Sequence, residues 1–165
     1  MTVPSLREEY HMYCTPYDQT TVDSLRAGGP DAYGYPAERA ISDGDGNPCR
    51  SCLHDIPKGA GMLICAARPF PSKQPYAETG PIFLCAVACS PWAGHGLPPI
   101  LGTSPDYLLK GYGTDDRIVY GTGQITLAGD IAKTATALLN DARVAYVDVR
   151  SARNNCFQTR IRSDL

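Results

Sequence analysis

Apolar and polar residues change rhythm several times along the chain, and each change predicts an element. Residues 8–14 form a short aromatic and apolar run that predicts a first strand. Asp18 stands where a helix cap belongs, ahead of a helix over 19–27 with Val22 and Leu25 turned inward. Gly28-Gly29-Pro30 stops that helix. The stretch 41–48, ISDGDGNP, is dense in turn formers and predicts a loop. Met62 to Ala67 is apolar without a break and predicts a buried strand, as does Ile82 to Val87. Between them, Arg68 to Pro81 contains Pro69, Pro71 and Pro75 and predicts an irregular excursion.

Two hairpins follow. Tyr107–Lys110 and Arg117–Tyr120 flank a Gly-Thr-Asp-Asp turn, and Val144–Val149 returns as Cys156–Ile161 after Ser-Ala-Arg-Asn-Asn. Between the hairpins, Asp130 is placed to cap a helix through Leu139, with Ile131, Ala135, Leu138 and Leu139 on one stripe. Strands outnumber helices and connect mainly by hairpins. The expected fold is therefore α+β: a single domain over 1–165, mainly antiparallel sheet with about two helices packed on one face.

The bulk numbers agree with one domain. The chain has 165 residues, 43% of them hydrophobic and 19% charged, enough to bury a core without a covalent staple. The net charge is −2 and the basic residues do not cluster, which argues against a surface for coating nucleic acid. No apolar run approaches the roughly 18 residues of a membrane span. The N-terminal MTVPSLREEYHMYC lacks the pattern of a secretory signal, so a cytoplasmic location is expected. In a reducing cytosol the seven cysteines should be thiols, metal ligands or reactive groups, not a disulfide framework.

Cys49-Arg-Ser-Cys52 and Cys85-Ala-Val-Ala-Cys89 carry the sharpest chemical signal. Two close pairs can offer four thiolates to a tetrahedral zinc ion, because a tight turn aims both sulfurs of a pair at one centre. Strand side chains alternate, so Cys85 and Cys89 need a turn or bulge near Val87 to converge. His54 and His95 are reserve ligands. The competing reading is that these cysteines are small buried hydrophobes. Three narrower motifs fail on their residues. A zinc deaminase needs a glutamate near its first ligand, which His11-Met-Tyr and Cys14-Thr-Pro lack. A thioredoxin-type pair should open a helix, and Leu53-His54-Asp55-Ile56-Pro57 permits only a turn. Asp43-x-Asp45-x-Asn47 begins like a calcium loop but has Pro48 and His54 where glycine and glutamate belong.

Arg68, Arg150 and Arg153 with Asn154 and Asn155 would form an anion-binding cluster if the fold gathered them, since guanidinium forks grip phosphate and carboxylate. Tyr76 and Glu78 lie in the proline-rich excursion, where loops often carry function. The plainer alternative gives these side chains to turns, caps and core cover.

Four stretches together resemble an uncharacterised bacterial family, domain of unknown function 1203: PCRSCLHD at 48–55, RPFPSKQPYAETGPIFLCAVAC at 68–89, GYGTDDRIVYGTG at 111–123 and VAYVDVRSARNNCFQTRI at 144–161. The resemblance implies a compact bacterial domain and supplies neither an enzyme class nor catalytic residues. The expected function is a domain with a structural zinc held by Cys49, Cys52, Cys85 and Cys89, binding a small anionic ligand or a protein partner. The alternatives are a small metal- or thiol-dependent enzyme acting on an anionic substrate, and a metal-free accessory protein. Oligomeric state is left open.

Overall fold

The computed structural model describes residues 10–165. In chain order the elements are β1 (Met12–Thr15), α1 (Gln19–Arg26), β2 (Glu38–Ile41), β3 (Gly61–Ala67), β4 (Gly80–Cys85), β5 (Asp106–Tyr112), β6 (Gln124–Leu127), α2 (Ile131–Leu139), β7 (Tyr146–Ser151) and β8 (Phe157–Ser163). The architecture is α+β, with two helices and two antiparallel sheets among the described residues. Of the first expected strand, residues 8 and 9 lie outside the described residues. Packing divides the described residues into two compact units: residues 10–15 with Ala93–Leu165, and Pro16–Trp92.

The first unit holds a five-stranded sheet in the order β1-β8-β7-β5-β6. Central β7 buries five of its six residues, so both faces of the sheet are covered there. Leu109, Val147, Val149 and Ile161 are fully buried, and so are Ile131 and Ala135 of α2. Asp148 faces the other way, in register with Lys110 and Arg160. Arg160 grips it through two hydrogen bonds of 2.7 and 3.0 Å and stacks 4.0 Å from the Tyr146 ring. The β7–β8 hairpin matches the expected pairing, with a bulge between Val149 and Arg150.

Two details depart from the expected pattern. On the edge away from β7, the ladder partner of β5 is β6, not a strand over 117–120. That segment meets only the end of β5, through the Tyr112–Ile118 bridge and the Gly113 N–H to Arg117 O and Val119 N–H to Gly111 O bonds. The Thr122 hydroxyl accepts from the Gly111 N–H at 3.0 Å and donates to the Val119 carbonyl at 2.6 Å. A side chain thus takes the strand donor that a ladder would use. Asp130 precedes α2 without a capping bond from its side chain, because the helix grows out of a 3-10 turn at Ala128–Asp130.

The second unit holds a three-stranded sheet in the order β2-β3-β4. α1 follows its local signals. The Asp18 carboxylate accepts from the Thr21 N–H at 2.9 Å, and Val22 and Leu25 are buried. At the other end Gly28 takes φ +92°, with Gly28 N–H to Leu25 O and Gly29 N–H to Ser24 O closing a Schellman motif. A Cβ on Gly29 would lie 2.9 Å from the Ser24 carbonyl oxygen, the acceptor of the Gly29 N–H, so a side chain there would force the motif to shift. β2 was not expected. Three of its four residues are exposed, so this edge strand carries no apolar alternation, and the expected loop begins one residue later, after Ile41.

Candidate metal centre

Each cysteine pair is aimed by a separate backbone device. Pro48 and Asp55 form an antiparallel bridge, closing a tight hairpin around Cys49-Arg50-Ser51-Cys52. Inside it Cys49 N–H donates to His54 O and Leu53 N–H to Cys49 O, both at 2.9 Å. Leu53 sits at φ +56°, a left-handed conformation that turns the chain sharply after Cys52. The hairpin joins the edge of β4 through a parallel bridge from Cys49 to Phe83 and an Arg50 N–H to Phe83 O bond of 3.0 Å. The second pair starts where β4 ends at Cys85; the chain bends at residues 86–87. This is the turn near Val87 that convergence requires, and it leaves the Val87 side chain exposed.

The result is a cluster of four sulfurs, Cys49, Cys52, Cys85 and Cys89, all within 4.8 Å of one another. Cys49 and Cys89 are 3.8 Å apart. A tetrahedral ion with metal–sulfur bonds of about 2.3 Å has edges of about 3.8 Å, so the spacing fits four-coordinate binding. It is far outside disulfide length, and all seven cysteines are free. Four closely spaced cysteines of this kind could hold a metal ion.

The surroundings favour negative sulfur. The Cys85 N–H donates to Cys49 Sγ at 3.3 Å. Arg26, in the last turn of α1, donates from Nη2 to Cys89 Sγ at 3.1 Å and from Nε to the Cys85 carbonyl at 3.0 Å. Thiols of Cys52 and Cys85 hydrogen-bond to Cys49 and push its titration far below the usual thiol range, although it is fully buried. The same proximity raises Cys52 to about 11 and Cys85 well above its ordinary value. Crowded sulfurs therefore cannot all ionise unaided; a divalent cation lets them do so. Four thiolates on a divalent ion leave two uncompensated negative charges, and Arg26 offsets one.

The reserve ligands stand apart. His54 Nδ1 is 2.8 Å from the Cys52 carbonyl and its ring lies 5.9 Å from Trp92, while His95 is exposed; neither joins the sulfur cluster. The expected anion-binding residues fall in different units. Arg68 Nε donates to Phe70 O, Tyr76 N–H to Gln74 Oε1 and Glu78 N–H to Tyr76 O, all within the proline-rich excursion. Arg150 is buried in the first unit, donating to Asn155 O at 3.0 Å across the turn that carries exposed Asn154. Arg153 pairs with Asp106 at 3.2 Å. Arg26 was missed because an arginine in a last helical turn reads simply as a complement to the helix dipole.

An α+β chain with a four-cysteine cluster defines only a broad class, that of small proteins able to carry a metal. Its family is narrower: residues 46–163 match the model described as protein of unknown function (DUF1203), and the chain belongs to that family. No curated protein and no solved structure matches it.

Proposed function

We propose that the chain is a non-catalytic binding protein whose second unit is held together by a structural zinc on Cys49, Cys52, Cys85 and Cys89. The convergence of four sulfurs at tetrahedral spacing is the observation that carries this reading. Four protein ligands fill a zinc tetrahedron and leave no position for a water, which is the pattern of structural and not hydrolytic sites. The burial of Cys49 also counts against thiol chemistry on a free substrate, which needs an accessible thiolate. Persistent thiolates imply a reducing compartment, in keeping with a cytoplasmic location. Among the described residues no helix is long and apolar enough to cross a membrane.

Elemental analysis of untagged protein purified without chelator, with thiol titration alongside, tests the reading. About one zinc per chain, and four thiols shielded until denaturation, are expected. A metal-free protein with every thiol titrating freely would support the metal-free accessory reading instead. One iron per chain with thiolate-to-iron absorption would keep the site and change the ion, since sulfur tetrahedra also suit iron.

A further inference from the structure

Apart from the sulfur cluster, the second unit carries an open groove of about 600 Å³, within the size range of small-molecule sites. Its lining includes Asp31, Tyr33, Tyr35 and Glu38, with Ile64 and Pro81 from the sheet. The tyrosines sit on a loop that the backbone fixes in place. Asp31 Oδ1 accepts from the N–H groups of Tyr33 and Tyr35 at 2.9 and 3.1 Å. Its Oδ2 accepts from Ala66 N–H at 2.9 Å, tying the loop to β3. Asp31 N–H donates to Tyr35 O at 2.7 Å, and Pro30 bridges Pro36. Yet Tyr33 and Tyr35 are 64% and 70% exposed. A loop this tightly closed has its backbone ordering cost already met, and it presents both aromatic rings at the surface.

The charge of the groove has one sign. Two carboxylates line it, and no lysine, arginine or histidine does. Desolvation works against the charge on Asp31, but the N–H groups of Ala66, Tyr35 and Tyr33 outweigh it and hold the carboxyl below its usual range. We propose that this groove binds a small organic ammonium ligand, a cationic nitrogen on an apolar body. The nitrogen is drawn to the tyrosine faces and the carboxylates, and the body rests on Ile64 and Pro81. The inference rests on the binding-protein reading and not on the identity of the metal. Its sign is opposite to that of the anionic ligand expected from the arginines.

Metal-loaded full-length protein, titrated by NMR with benzyltrimethylammonium, benzyl alcohol and benzoate, tests it. Saturable binding of the ammonium compound is expected, with benzoate bound at least about tenfold more weakly. Tyr33→Ala with Tyr35→Ala should weaken ammonium binding about tenfold, and Glu38→Gln should weaken it less, with metal content unchanged. Equal binding of benzoate or benzyl alcohol would overturn the ammonium assignment and leave the binding-protein reading standing. Ammonium binding indifferent to both variants would overturn the site. No saturation by any of the three would overturn the site and count against the binding-protein reading, leaving the metal centre intact.

Discussion

Central β7 buries five of its six residues, whereas three of the four residues of β2 are exposed. The contrast runs through the two units. In the first, five strands form one sheet, and α2 and the sheet bury Leu109, Val147, Val149, Ile161, Ile131 and Ala135 completely. In the second, three strands are joined by glycine- and proline-rich segments at residues 42–60 and 68–79, and the cysteine hairpin is attached to β4 by a short run of backbone bonds. Apolar burial is comparable in the second unit, where Val22, Leu53, Leu63 and Leu84 are also fully buried, so the units differ in how their segments are held and not in the amount of core. Four sulfurs from two distant segments, closed on one ion, would tie those irregular segments together. In the first unit continuous strand pairing holds the chain; in the second the cysteines gather where two irregular segments meet.

Variants in each unit can break or sharpen that contrast. The largest effect is expected from Cys49→Ser. It should abolish stoichiometric metal and let amides across 16–92 exchange fast, with β5, β7 and β8 still protected; metal binding at such sites supplies on the order of 10 kcal/mol. Segment-resolved hydrogen exchange reads this. Asp148→Asn removes the fully buried carboxylate that Arg160 grips and should cost about 3–5 kcal/mol in thermal or denaturant unfolding, with metal content unchanged. Arg26→Ala removes the cation beside Cys89 and should weaken metal affinity about 10- to 100-fold in competition with a chromogenic chelator. The smallest effect belongs to Arg153→Ala, whose partner Asp106 lies at an exposed ion pair; a change within about 1 kcal/mol is expected.

What the sequence disclosed follows from how local each cause is. The limits of α1 depend on Asp18 and on Gly28-Gly29, neighbours in the chain, and both ends match the expectation. β3 shows as an unbroken apolar run for the same reason. The β7–β8 hairpin was legible because both strands sit beside their own turn. The misses depend on distant or side-chain events. β2 is an exposed edge that forms by pairing with β3. β6 takes the first half of β5, while the Thr122 hydroxyl and residues 117–119 meet its end at Gly111 and Tyr112. Spacing alone could suggest the sulfur cluster, but its closure needs β4 to end at Cys85 and the Cys49 hairpin to dock on Phe83. Arg26 and the Tyr33–Tyr35 loop lie far from any cysteine in sequence, so no local pattern marked them.

The metal K-edge absorption spectrum of the purified, untagged protein tests the central claim most directly. A shell of four sulfur scatterers at about 2.3 Å from a stoichiometric zinc is the result expected. A first shell containing nitrogen or oxygen at about 2.0–2.1 Å would contradict the four-thiolate site.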